Sequence, residues 1–441
     1  MNISVVGLGK LGLCTAACFA AAGHVVYGYD HDGRIRDEVT AGRCPIAETG
    51  LPELLKIASP SLHVVDTYDA CVVRSDATLI IVPTPSDTDG RFSNSSVIRV
   101  LEGLSPSLKA KTDFHIVAIV STVMPGSSEQ VFRPLLEQRT GKRCGVDFGL
   151  AYNPEFIALG TVIRDFLNPD MVLIGASDER TSQLLQKLYR STVESNPIIA
   201  TMSLVNAEIT KISLNCFITM KISFSNALGA LCEKVPGADV DSITLAMGAD
   251  RRVGERCMKN GLGFGGPCFP RDNSAFQSFS KEFGDRALLA EAIEEINLRI
   301  PGRLQRCIET HLSPPARVAL LGVSYKPGTH VIEESQSLLL AKSLLASGYQ
   351  VRISDPMALD SAGPVLEGLA DSFVNPYDCV RGADAIILMT DWEEYRSIDW
   401  RRVATTAAPG ALVLDSWRIA RKKDMSSFNY FPLGIGPQTR T

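Results

Sequence analysis

The chain is poor in the signatures that assign a protein quickly. None of its eleven cysteines forms a CxxC pair, and its six histidines enter no HxH, HExxH or Cys/His cluster, so a metal site has no support. A GKS/T phosphate loop and a GxSxG turn are both missing, which sets aside P-loop hydrolysis and the serine-hydrolase elbow. Basic residues are in no surplus: the formal net charge is −5, which leaves no footprint for nucleic acid. No apolar run approaches the ~18 residues needed to cross a membrane. The small apolar residues up to Ala22 lack a basic leader and are interrupted by Lys10, so they do not read as a secretory signal. An odd set of scattered cysteines fits no disulfide framework and predicts thiols in a reducing compartment, the cytoplasm.

What is present is an ordinary globular composition, 45% hydrophobic and 21% charged, on a chain of 441 residues. That length predicts two or three domains. The first third alternates short apolar runs with helical stretches. Ile3–Val6, Val25–Tyr29, Thr78–Val82, His115–Val120 and Met171–Ile174 read as buried strands, and Leu11 to Ala22 reads as a helix closed by Gly23. Such alternation implies a parallel, doubly wound sheet. From about Ser203 to Cys232 there is no proline and only Gly229, which predicts one long helix, with further helix from Val240 to Met247. Pro301 and Pro314–Pro315 mark a linker zone. Beyond it Arg317–Leu321, Gln350–Ile353, Ala385–Met389 and Ala411–Leu414 predict a second α/β domain without a full glycine fingerprint, and the polar tail after Lys423 reads as loose. The expected architecture is two doubly wound Rossmann-like domains, 1–200 and 301–441, joined by a central helical domain, 201–300.

Gly7-Leu8-Gly9-Lys10-Leu11-Gly12 sits between a strand and a helix, the context that makes GxGxxG a dinucleotide motif. Its glycines serve a tight turn, an approach to the pyrophosphate and close helix packing, while the helix N-terminus favours phosphate. Asp30 ends the second strand near the expected spacing of about twenty residues, where it accepts from ribose hydroxyls and repels a 2′-phosphate, favouring NAD over NADP; Arg34 softens that preference.

Gly261–Asp272 reads GLGFGGPCFPRD and places Cys268 after a run of glycines. Most free cysteines are inert core residues. Here Gly263, Gly265 and Gly266 permit close approach by a ligand, Pro270 suits the first turn of a helix, and Arg271 adds a cation; the last two favour the thiolate. Asp272 is placed to orient a water or a lysine. Lys211 and Asn215 share a helix face. By pattern alone they are as well read as a solvated edge as a pair steadying an oxyanion in a cleft. Ser121-Thr122 at a strand end and Asn153-Pro154-Glu155 are equally well read as turns.

Together these residues resemble the UDP-glucose/GDP-mannose dehydrogenase family. The resemblance runs from Met1 to about Arg418, through GLGKLG, PIAETGLPELL at Pro45, VPTP at Val82, STVMPG at Ser121, NPEF at Asn153, NPDMVLIG at Asn168, KISLN at Lys211, GFGGPCFPRD at Gly263 and GVSYKPGT at Gly322; DRRVG, Asp250–Gly254, is most like the UDP-glucose branch. It implies oxidation of a nucleotide-sugar C6 alcohol to a uronic acid with two NAD consumed, and a thiohemiacetal and thioester on Cys268. GDP-mannose or a UDP-N-acetylhexosamine is the alternative substrate, and a nucleotide-sugar-binding regulator without turnover the alternative class. By motif position Thr122, Glu155, Lys211, Asn215 and Asp272 match the catalytic set. Thr84 joins the NAD-binding residues, and Phe156, Lys259, Gly265 and Lys326 the sugar-nucleotide site. Arg252 resembles an arginine supplied by a neighbouring subunit, which implies a homodimer or higher homo-oligomer. The chain departs from the family at Leu159, where an acid follows NPEF, at Glu333, where an arginine stands in KPxTDDxRES, at Cys257, and at Arg271, which replaces a lysine.

Overall fold

The computed structural model describes residues 1–437. Two compact units divide the chain, Met1–Ser213 and Leu214–Thr441.

In the first unit eight strands form one sheet: β1 (Asn2–Val6), β2 (Val25–Tyr29), β3 (Leu62–Val64), β4 (Ala77–Ile80), β5 (His115–Ile119), β6 (Phe148–Tyr152), β7 (Met171–Ala176) and β8 (Ile198–Met202). Their order is β3-β2-β1-β4-β5-β6-β7-β8. All neighbours pair in parallel except β6 and β7. Successive residues point to opposite faces, so Ile3 and Val5 join one core while Val6 and Ile80 join another. The order reverses between β1 and β4, which opens a crevice at the carboxyl ends of the strands. The helix Gly12–Ala21 starts close against the turn after β1 because its first residue has no side chain; a Cβ on Gly12 would stand 1.8 Å from the Gly7 carbonyl oxygen.

The long helix Leu204–Cys232 contains the division between the units. In the second unit it is followed by the helices Val240–Ala249, Phe269–Glu282 and Leu288–His311. A second sheet then forms from β9 (Arg317–Leu321), β10 (Gln350–Ser354), β11 (Asp371–Phe373), β12 (Ala385–Leu388), β13 (Leu412–Asp415) and β14 (Asn429–Pro432). Its order, β11-β10-β9-β12-β13-β14, repeats that of the first six strands of the other sheet. The turns after β1 and β9 correspond as well. Gly7, at φ +98°, donates to the Tyr29 carbonyl at 2.8 Å, and Gly322, at φ +103°, donates to the Ser354 carbonyl at 2.7 Å. Asp30 then accepts from the Leu8 amide, as Asp355 does from the Val323 amide.

Two expectations are corrected. Pro301 begins no linker: it is buried within the helix Leu288–His311, and the connection to β9 is only the stretch 312–316. Burial of Ile300, Leu304 and Ile308 on the core of the second sheet outweighs the ~3 kcal/mol that an interior proline costs. From 424 to 437 the tail after Lys423 is not loose, and its last residues, 438–441, lie outside the described ones. It forms β14 beside β13, the Tyr430 hydroxyl reaches the buried Asp415 carboxylate at 2.9 Å, and the Gly434 amide donates to Glu233 at 2.6 Å. Phe428 and Tyr430, two apart, pack against the core of the same domain. Among the described residues no helix is long and apolar enough to cross a membrane, and no cluster of three metal-ligating side chains occurs.

Candidate active site

At the carboxyl end of β1 the three fingerprint glycines have separate reasons. A Cβ on Gly7 would meet the Ile81 carbonyl at 2.1 Å, and one on Gly12 the Gly7 carbonyl, whereas Gly9 is exposed and faces nothing within 4 Å. Gly9 is therefore the position with room for a ligand. Lys10 beside it is exposed and Leu11 half-buried. Asp30, 6% exposed, accepts from the amides of Leu8 at 2.7 Å and Asp32 at 2.9 Å. A carboxylate retains further lone pairs for ribose hydroxyls, so the loop and its acid fit the nucleoside half of NAD. Arg34 turns outward and pairs with Asp32 at 2.8 Å. The guanidinium at this strand end belongs instead to Arg36, absent from the sequence expectations; it donates to the Asp30 carbonyl at 2.6 Å and lies 5.6 Å from the Tyr29 ring. Across the switch point Thr84 donates to the Thr122 carbonyl at 2.6 Å, which ties the loops after β4 and β5 together.

A second cluster gathers beyond β6. Asn153 and Glu155 follow the strand directly, and Tyr189 reaches both from the helix Glu179–Arg190. Lys211, 8% exposed, donates to the Glu155 carbonyl at 2.7 Å and lies 4.6 Å from the Phe156 ring. Its burial, and that of Asn215 at 7% exposed, excludes the solvated-edge reading. Burial pushes the Glu155 carboxyl up to about 7. Glu208, one turn before Lys211, is fully buried and was missed. It accepts from the Gly126 and Ser128 amides at 2.6 and 2.9 Å and so holds the turn that follows Thr122; burial raises its proton affinity. Its being the one acid on that helix was the available signal.

In the second unit Cys268 is exposed and immediately precedes the helix Phe269–Glu282, with Pro270 in its first turn. One turn on, the buried Asp272 accepts from the Asn215 amide at 2.5 Å. The glycines before Cys268 have a different cause from the one expected. Protein, not ligand, occupies the space of each missing Cβ: the Asn297 amide oxygen at Gly263 (2.2 Å), the Glu334 carbonyl at Gly265 (2.4 Å) and the Tyr325 ring at Gly266 (2.5 Å). The Gly266 amide also donates to the Glu333 carbonyl at 2.8 Å, so the residue that departs from the family pattern meets this loop through its backbone. Asn226 and Asn297, unforeseen, clamp the loop by donating to the Leu262 and Phe264 carbonyls and accepting from the Gly261 and Phe264 amides. Lys259 pairs with Asp391 at 3.1 Å and lies 5.4 Å from the Trp417 ring. Lys326 lies 5.8 Å from the Tyr325 ring, and Arg252 is on the surface, paired with Asp250 at 2.6 Å. Arg418 was also missed. Its buried guanidinium joins Asp241, Asn260 and the Leu433 carbonyl.

Comparison with known proteins covers the whole arrangement. Residues 1–193 match the NAD binding domain of the UDP-glucose/GDP-mannose dehydrogenase family, residues 205–299 its central domain and residues 319–422 its UDP binding domain. The UDP-glucose 6-dehydrogenase AglM of Haloferax volcanii is 34% identical over 430 residues, 96% of this chain and 98% of that protein. The GDP-mannose 6-dehydrogenase of Pseudomonas putida is 32% identical over 94% of this chain and 95% of its own length. A UDP-glucose dehydrogenase structure from Pyrobaculum islandicum superposes with a TM-score of 0.89 at 32% identity, covering 98% of both chains.

Proposed function

This chain belongs to the UDP-glucose/GDP-mannose dehydrogenase family and is an NAD-dependent nucleotide-sugar dehydrogenase; from that premise we propose that it oxidises the C6 alcohol of UDP-glucose to the carboxylate of UDP-glucuronate. The observation that carries the covalent route is Cys268, exposed at the head of a helix with Asp272 turned to Asn215 one turn on. UDP-glucose enters from the names of the relatives and from DRRVG at Asp250.

The Gly7–Gly12 loop, Asp30, Thr84 and Thr122 are the residues that would hold NAD, which when bound accepts hydride from C6 in each of two oxidations. Cys268 adds to the C6 aldehyde left by the first oxidation; a C–S bond forms and the carbonyl oxygen becomes an alkoxide. Lys211 and Asn215 steady that charge, with Asn215 held by Asp272. The second oxidation leaves a thioester. Thr122 positions water and the ionised Glu155 takes its proton; the C–S bond breaks, Cys268 departs as thiolate and the carboxylate is released. Phe156, Lys259, Gly265 and Lys326 contact the sugar nucleotide, and Arg252 completes the site of a second copy in a homodimer. An odd number of scattered cysteines without disulfide spacing supports a cytoplasmic setting.

Purified protein is to be incubated with NAD and UDP-glucose, GDP-mannose or a UDP-N-acetylhexosamine, counting NADH and uronate. Two NADH per UDP-glucose is the expected result. Turnover of another sugar alone would reassign the substrate, one NADH with an accumulating aldehyde would refute the thioester route, and no turnover at all would favour a binding regulator.

A further inference from the structure

Tyr189 is a buried titratable group that the proposed chemistry leaves unused. Its ring is 2% exposed and is held between Phe19 and Phe166, with centroids 5.8 and 6.1 Å away. Its hydroxyl oxygen lies 2.7 Å from Asn153 Oδ1 and 3.2 Å from Glu155 Oε1. A phenol carries one proton and cannot serve both. Asn153 decides between them. Its amide nitrogen donates to the Leu173 carbonyl at 2.9 Å, so its oxygen, which only accepts, faces Tyr189. The tyrosine proton therefore goes to Asn153, the shorter contact, and a lone pair of Oη faces Glu155. That lone pair suits a carboxylic acid, whose O–H donates to it, and opposes a carboxylate.

We infer that Tyr189, oriented by Asn153, is a positioning residue that holds Glu155 in its protonated form at one fixed rotamer. The inference rests on Glu155 handling protons in the proposed reaction. Three groups act on or beside this carboxyl. Tyr189 comes from the helix Glu179–Arg190. The Lys211 ammonium, on the Glu155 carbonyl, favours the anion. The Cys18 thiol, on the helix Gly12–Ala21, is kept neutral by burial and adds no charge. Burial of Glu155 also favours the acid form. A carboxyl that both takes and returns a proton works best with its affinity near the operating pH, and the Asn153–Tyr189 pair supplies a fixed partner for the acid form.

The test is Tyr189→Phe, which keeps the packed ring and removes only the hydroxyl. With the neutral partner lost, the ionisation of Glu155 seen in the pH dependence of kcat shifts down by about half to one pH unit, the worth of one hydrogen bond, while KM for the sugar nucleotide changes less than twofold. A limb that stays in place, or one that moves up because the hydroxyl had donated to a carboxylate, overturns the inference. Glu155→Gln separates this from failure of the functional reading: full turnover in Glu155→Gln removes Glu155 from the chemistry. A low but measurable rate whose pH profile Tyr189→Phe no longer alters places the effect of Tyr189 on that carboxyl; a Tyr189→Phe shift that persists in the double variant overturns it.

Discussion

Gly9→Ala isolates the coenzyme site from the fold that carries it. The Gly9 Cβ direction is open, with nothing within 4 Å, and its backbone is outside the left-handed region. An alanine there costs the folded protein nothing and narrows the unfolded ensemble, so stability holds or rises by up to about 1 kcal/mol. The same methyl stands where the backbone must approach the pyrophosphate. Losing one charge-assisted amide contact is worth about 1.5–3 kcal/mol, which is roughly 10- to 150-fold in NAD affinity. Gly12→Ala has the opposite signature: its Cβ would sit 1.8 Å from a backbone oxygen, and the forced separation of helix from strand costs about 3 kcal/mol. Calorimetric titration with NAD, paired with urea unfolding of each variant, reads both quantities. The reasoning fails if Gly9→Ala binds NAD within twofold of the parent, or if it loses stability as Gly12→Ala does.

Cys268→Ala abolishes uronate formation while leaving NAD affinity unchanged; uronate at the parental rate in product analysis would refute covalent catalysis. Arg418→Met leaves the Asn260 and Leu433 carbonyls without their donor, while the half-exposed Asp241 is rehydrated, and loses about 2–3 kcal/mol in urea unfolding; a loss under about 1 kcal/mol would contradict the burial of that guanidinium. His115 is fully buried, 2.9 Å from the Thr78 hydroxyl and 3.1 Å from the Ser75 carbonyl, and burial lowers its pKa to about 3. The unfolded chain takes up this proton near pH 6.5 and the folded one does not. Stability is therefore lost as pH falls from about 6.5 towards 3, by about 1.4 kcal/mol per unit. His115→Gln flattens that decline in unfolding curves taken at successive pH values, and an unchanged slope would show that other groups dominate acid unfolding.

Legibility varied with the range of the cause. Gly7, Gly12 and Asp30 were readable because turn, close packing and acid all lie within one βαβ unit. Cys268 was readable as the residue before a helix because Pro270 marks the first turn locally. Pro301 was misread for the same reason: proline is a strong local signal, and nothing local reveals that Ile300, Leu304 and Ile308 have a sheet to bury against. The tail was misread because polar residues around Asn429 hide a strand that exists only where β13 offers an edge. The glycines at 263, 265 and 266 were assigned the right property, close approach, and the wrong neighbour.

From sequence alone came the alternation of strands and helices, the dinucleotide loop, and the identity of the residues able to carry the chemistry, since each depends on local geometry and side-chain type. Tertiary structure alone decided what those residues meet. It brought Lys211 onto the Glu155 carbonyl across the fold and turned Asp272 to Asn215. It also packed Tyr325 and Glu334 against the loop of Cys268 and set the Tyr189 hydroxyl between Asn153 and Glu155. Proton affinities and hydrogen-bond directions follow from burial and from distant partners, and neither is a property of neighbours along the chain.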